Sequence, residues 1–290
     1  MNYSVELAIA ILTILAIIIT MAIYTWSTSK IGEKMNSNQE ISKNISNIGS
    51  IRELEITVLV DNNPNPPLKD AWGLSIYIKV GNVSFLFDAG PDPDVLRRNS
   101  AKLNINLKNL NFIVISHEHR DHIEGLKYVA EISRNLKVYI PKHSERSLER
   151  WMETLGFKPV RIGETTIIEK GIAIIGELYG PPYEEALAIN VENKGLIIIV
   201  GCSHPGVDKI VKKAVKELKE KPYLVIGGFH LAGAGMNKIE RIIENLNEMG
   251  VKKIYPIHCS GESIRKYLEN NYPKKYGDGR VGLRIKLCSQ

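Results

Sequence analysis

The sequence predicts an α/β domain preceded by one N-terminal transmembrane helix. Three observations carry this. From about residue 52 onward, short β-rich runs bounded by turn residues alternate with amphipathic helical stretches. Six of the seven histidines stand just after one of those runs, where α/β folds place the loops that build sites. Ahead of the domain lies an apolar run unlike anything else in the chain.

Composition narrows the class. At 290 residues the chain can bury a sizeable core, as two domains or one large α/β unit. With 24% charged and 44% hydrophobic residues it reads as globular and not as disordered. A net charge of +6 suits an anionic substrate or an anionic membrane surface. No strongly basic run or separate RNA-binding arm is present, so nucleic acid is not an expected partner. Cys202, Cys259 and Cys288 are too few and too odd in number for a disulfide framework, which places the domain in a reducing compartment.

Taken in order, the first element is "LAIAILTILAIIITMAIY", residues 7–24. Only Thr13, Thr20 and the tyrosine interrupt its apolar character, and it is long enough for a hydrocarbon core of ~30 Å. Tyr24 and Trp26 stand where interfacial aromatics belong. A cleaved signal peptide would need a basic start and a small-residue cleavage site, and neither is present. The run is therefore expected to be an uncleaved anchor over residues 1–26. Lys30, Lys34 and Lys43 follow it, which puts the remaining chain in the cytoplasm by the positive-inside rule. Residues 27–51, rich in Ser, Asn and Lys, read as a polar linker, and the domain is expected over 52–290.

Within the domain, "ELEITVLV", "GLSIYIKV" and "VSFLF" predict an antiparallel start. "FIVIS", "KVYI", "IAIIG", "ALAINV", "LIIIV", "YLVIGG", "KIYPI" and "VGLRIKL" predict further strands. "PGVDKIVKKAVKELKE" puts Val207, Ile210, Val211, Ala214, Val215 and Leu218 on one helical face, with Pro205 near its first position. "NKIERIIENLNEMG" does the same with Ile239, Ile242, Ile243, Leu246 and Met249, with Asn237 as N-cap and Gly250 just past the C-terminus. "HIEGLKYVAEIS" predicts another helix.

The polar residues fall at the strand ends. His117, His119, Asp121 and His122 follow "FIVIS"; His204 follows "LIIIV"; His230 follows "YLVIGG"; His258 follows "KIYPI"; Asp88 follows "SFLF". One buried histidine is ordinarily a core residue satisfied by a hydrogen bond, but that reading fits a set of six poorly. Imidazole and carboxylate are ligands of divalent metals. The two imidazoles of His117 and His119 can reach one ion, while Asp121 and His122 at the helix start can serve a second. His204 and His258 are the natural distal donors. Two ions ~3.5–4 Å apart can polarise a phosphoryl or carbonyl oxygen.

"SHEHRDH" resembles the H-x-H-x-D-H signature of the metallo-β-lactamase fold superfamily, and "FDAG", "GCSH" and "HCSG" occur in the matching order. The resemblance covers roughly residues 53–290. It implies an αββα sandwich with the metal site at one edge between the two sheets, and an Asp88 that braces the ligand loop from behind. "GCSHPG", "GGFHL" and "HCSG" together look like the dihydropterin synthase branch of that superfamily, which implies a transferase that expels diphosphate. Two departures stand out. "GPPYEEALAI", with Glu184 and Glu185, occupies the place of a metal-binding Gly-His pair, and Cys202 and His204 occupy the place of a bridging Asp.

The expected ligands are thus His117, His119, Asp121, His122, His204 and His258, holding two divalent ions, zinc first and manganese or iron next. Asp121 is also a candidate catalytic residue. So is His230, as proton donor or phosphate contact. Cys259 reads as a small packed residue. The expected partners are an anionic small molecule and, through residues 7–24, a lipid bilayer. The alternatives to a transferase are a metallohydrolase of a phosphodiester or activated ester, and a membrane-tethered metal or ligand sensor without catalysis.

Overall fold

The computed structural model describes residues 19–22, 24 and 47–289. Most of the expected span at 7–24, and residues 27–46 of the expected linker, lie outside these. Among the described residues no helix is long and apolar enough to cross a membrane, so the transmembrane helix gains no support here. The chain divides into Met1–Ser46 and a compact unit, Asn47–Gln290. That unit starts inside the stretch the sequence assigns to the linker. Ile48 is buried, its carbonyl accepts from the Gly171 amide at 2.7 Å, and Ile51 bridges to Val191.

In chain order the elements of the compact unit are β1 (Glu53–Val60), β2 (Ser75–Val80), β3 (Val83–Phe87), α1 (Pro93–Lys102), β4 (Phe112–Val114), α2 (Arg120–Ile123), α3 (Leu126–Ile132), β5 (Lys137–Pro141), α4 (Arg146–Thr154) and β6 (Lys158–Ile162). There follow β7 (Thr166–Glu169), β8 (Ile172–Tyr179), β9 (Tyr183–Val191), β10 (Gly195–Val200), α5 (Val207–Leu218), β11 (Pro222–Gly228), α6 (Met236–Glu248), β12 (Lys253–Ile257), α7 (Glu262–Asn271) and β13 (Arg284–Cys288). Among the described residues the strands form a seven-stranded sheet, β13-β1-β2-β3-β4-β5-β6, and a six-stranded sheet, β12-β11-β10-β9-β8-β7. Each is antiparallel at one side and parallel at the other, and the parallel strands other than β6 are followed by helices.

Strand period places the core. In β3, Phe85 and Phe87 point between the sheets while Leu86 points outward. In β4, Phe112 and Val114 point inward and Ile113 outward. The inward set meets Ile174, Leu187, Ile197, Ile199 and Ile226 of the second sheet; the outward set meets Leu96 of α1, Leu126 and Val129 of α3 and Met152 of α4. Helix α5 covers the far face of the second sheet. This is the expected αββα sandwich. Strands buried on both faces read as continuous apolar runs, which is why they were legible.

Three local readings change. Helix α5 begins at Val207, so Pro205 lies ahead of it and Gly206, at φ 111°, makes the turn into the helix. Helix α6 begins at Met236, so Asn237 sits inside the first turn. "HIEGLKYVAEIS" is broken between α2 and α3, because the chain passes so close to β3's exit that a Cβ on Gly125 would lie 1.9 Å from the Ala89 carbonyl.

Candidate metal centre

The loop after β4 is shaped from behind by Asp88, which leaves β3 at φ 56°. Its Oδ1 accepts from the Ser116 amide at 2.7 Å, and its Oδ2 accepts from the Ser116 hydroxyl at 2.8 Å and from His122 Nδ1 at 2.7 Å. With its proton committed to Asp88, Ser116 Oγ accepts from His117 Nδ1 at 2.9 Å. Both tautomers follow: His117 and His122 carry hydrogen on Nδ1 and present a bare Nε2 to the site.

Glu184 of β9 shapes the facing loop. Its Oε1 accepts from the amides of Cys202 at 2.9 Å and Ser203 at 2.7 Å; its Oε2 accepts from the His204 amide at 2.8 Å and from His204 Nδ1 at 2.9 Å. His204 therefore also turns a bare Nε2 away from its carboxylate. A Cβ on Gly201 would lie 2.1 Å from Ser116 Oγ, so only glycine lets the two loops meet. The third support is Asp61, just after β1, whose Oδ1 accepts from the His258 amide at 2.7 Å and holds that residue at φ 51°. Sequence reasoning missed both supporting roles. Asp61 carries a usable signal, since it follows a buried strand as Asp88 does; the sequence marks Glu184 only as a replacement for a Gly-His pair.

These supports bring the six expected ligands into two clusters. Ligand atoms of His117, His119 and His204 lie within 4.8 Å of one another, and so do those of Asp121, His122 and His258. His117 Nε2 stands 3.0 Å from His119 Nδ1, and His258 Nε2 stands 3.4 Å from Asp121 Oδ2. His258 is buried, yet neither of its ring nitrogens makes a hydrogen bond. An orphaned buried imidazole beside a carboxylate is costly unless an ion takes its lone pair. The donor set, with nitrogen and oxygen atoms bare and convergent, fits divalent metal. The exposed His230 lies outside both clusters, its ring 4.6 Å from that of His204. Glu118 and Arg120 do turn outward, to the Glu145 amide and to Glu124.

The electrostatics suit the arrangement. Burial, then the neighbouring His122 and His204, hold His117 well below the usual histidine range, so it stays neutral. Burial would raise Asp121, but His258 and His122 outweigh it and hold the carboxyl at about 2. At neutral pH it is a firm anion and a weak base. Burial pulls His122 down, but the charge and hydrogen bond of Asp88 win and raise it. A hydrogen bond with Cys259 raises His230, which favours its protonated, donating form. The same Cys259, with burial, pushes the Cys202 thiol up.

The beta-lactamase superfamily domain matches residues 84–174, which include the whole of the His117–His122 loop. A 7,8-dihydropterin-6-methyl-4-(beta-D-ribofuranosyl)-aminobenzene-5'-phosphate synthase of Methanocaldococcus jannaschii is 32% identical over 293 residues, covering 84% of this chain and 100% of that protein. The chain belongs to the metallo-β-lactamase fold superfamily. Among solved members of the superfamily, a metal-dependent hydrolase superposes with a TM-score of 0.70 at 25% identity, covering 81% of this chain and 100% of the other. A diphosphatase of the PhnP family superposes at 0.57 with 15% identity over 82% of this chain and 99% of its own, a likeness of fold alone. These metallo-β-lactamase-fold relatives are enzymes, and the superfamily hydrolase is metal-dependent.

Proposed function

We propose that this protein is a two-metal enzyme that transfers a group between phosphorylated small molecules with release of diphosphate. The observation that carries the reading is the pair of ligand clusters, built on a chain that is 32% identical to the synthase along that protein's full length. His117, His119 and His204 would hold one ion and Asp121, His122 and His258 the other. When bound, the ions would supply positive charge to neutralise a diphosphate leaving group. The chain's own residues do the rest. Asp88, Glu184 and Asp61 fix the ligand loops, so little reorganisation is needed when substrate arrives. Asp121, ionised at neutral pH, anchors one cluster and orients what binds beside it. His230, exposed next to His204, would give a proton to the departing oxygen. The basic excess of the chain suits the anionic substrates.

Hydrolysis is the second reading, supported by the likeness to the metal-dependent hydrolase. The two separate in one experiment. Purified protein is given a diphosphate-bearing donor with and without an aromatic acceptor. Diphosphate release that depends on the acceptor supports the transferase, and release from the donor alone supports the hydrolase. We also infer that residues 7–24 anchor the chain in a bilayer with the enzyme on the cytoplasmic side, a reading supported by the apolar run and the lysines after it.

A further inference from the structure

Among the described residues of the compact unit, three large apolar side chains are left exposed: Trp72, Tyr179 and Met236. Trp72 is set against the metal centre. It lies in the loop between β1 and β2, 57% exposed, with its indole 5.2 Å from the His258 ring and the two planes 60° apart. An edge-to-face contact of this kind takes at most one face of the indole and leaves the other open.

Backbone fixes the position on both sides. The Ala71 amide donates to the Asp61 carbonyl at 3.1 Å, and the Leu74 amide donates to the Asp121 carbonyl at 3.2 Å. Asp61 supports His258 and Asp121 is a candidate ligand, so the loop is tied to the same cluster at two points. Between those ties Gly73 holds φ 156°, and a Cβ there would lie 2.4 Å from the Asp121 carbonyl oxygen and 2.5 Å from Pro91 Cδ. Only glycine lets the loop come this close, and that approach sets the indole beside His258. A single exposed tryptophan is ordinary on a protein surface. One held by its neighbours' amides against a ligand cluster is a prepared wall.

We infer that Trp72 is the stacking wall of the substrate site, taking the planar aromatic ring of a substrate whose phosphate lies at the metal centre. The ligand is then divided: its charge goes to the clusters and its ring to the indole. Indole suits this because it offers a large rigid face at low cost in conformational entropy. A saturated ring of equal size would gain apolar contact and miss the stacking preference. The inference rests on the proposed reading of the site as a two-metal centre for phosphorylated small molecules, and it can fail separately from that reading.

The test is calorimetric titration of the full-length, zinc-loaded protein in detergent with inorganic phosphate, phenyl phosphate and cyclohexyl phosphate. The two esters carry the same charge and differ in the ring. Phenyl phosphate should bind about 2- to 13-fold more tightly than cyclohexyl phosphate, the worth of an aromatic pair beyond the area it buries. Trp72→Leu keeps an apolar side chain without a ring, and the two esters should then bind alike. Trp72→Phe should retain a preference for phenyl phosphate. Damage to the metal cluster would weaken both esters equally and leave their ratio, so the ratio separates ring contact from structural support. Equal binding of the two esters by the wild type overturns the stacking wall and leaves the metal reading standing. A wild-type ratio that persists in Trp72→Leu, or disappears in Trp72→Phe, overturns it too. Wild-type protein that binds none of the three anions overturns this inference and the proposed substrate class together.

Discussion

Glu184→Gln is a change of one oxygen to an NH2 group, and the structure says why it should be severe. The carboxylate accepts two hydrogen bonds on each oxygen: Cys202 and Ser203 amides on one, the His204 amide and His204 Nδ1 on the other. Glutamine has one accepting oxygen, so whichever way the amide faces, its NH2 meets two donors. If it faces His204, the backbone amide is orphaned and the imidazole must shift its hydrogen to Nε2, which removes the lone pair from the metal cluster. If it faces the other way, two backbone amides are orphaned. An unsatisfied buried donor costs about 1–3 kcal/mol. At roughly 2–4 °C per kcal/mol for a domain of this size, the melting temperature should fall by roughly 2–12 °C. Metal affinity at the His117–His119–His204 cluster should fall by about 10–100-fold, the usual effect of losing the partner that orients a ligating histidine. Scanning calorimetry of the metal-free protein and zinc titration against a competing chelator measure the two effects. Unchanged melting with unchanged affinity would refute the claim that Glu184 sets the loop and the tautomer.

Asp121→Asn keeps the shape and removes the anion, so turnover should fall at least ~10²-fold while the fold survives; near-normal turnover in a cooperatively melting variant would sink its role. Glu185 is buried with neither oxygen hydrogen-bonded, and burial raises it well above its ordinary 4.5. A raised folded value means the stability it allows is complete below 4.5 and declines as pH rises above that, by about 1.4 kcal/mol per pH unit until the folded value is passed. Glu185→Gln should therefore match the wild type near pH 4 and melt higher at pH 7, and parallel pH profiles would contradict this. Chelation should lower the melting temperature, because an ion at a hundredfold excess over its Kd adds about 2.7 kcal/mol; equal melting with and without chelator would argue against bound metal. The native chain should sediment with membranes, and protease outside intact cells should spare the domain; digestion from outside would reverse the proposed topology.

Periodicity alone determined most of the sandwich, since strands with both faces buried have few alternatives to a run such as "LIIIV" or "SFLF". One edge of each sheet was not legible, although the opposite edges, in "VGLRIKL" and "KIYPI", were. β6, "KPVRI", and β7, "TIIE", each close one sheet, are only half-buried, and carry the charged residues and proline that edges tolerate. The six candidate ligands could be named because residues with metal-binding chemistry collect at strand ends, and the spacing in "HEHRDH" separates four of them into pairs. Of what holds them, the resemblance implied the Asp88 brace, but the pairings made by Asp61 and Glu184 could not be read. Asp61 meets His258 across 197 positions, and Glu184 meets the 202–204 loop because β9 and β10 are antiparallel neighbours. The placement of Trp72 against His258 is likewise a fact of tertiary structure. Spacing along a chain tells which donors exist, whereas the direction of a lone pair depends on the partner behind it, and that partner is chosen by how the sheets pack.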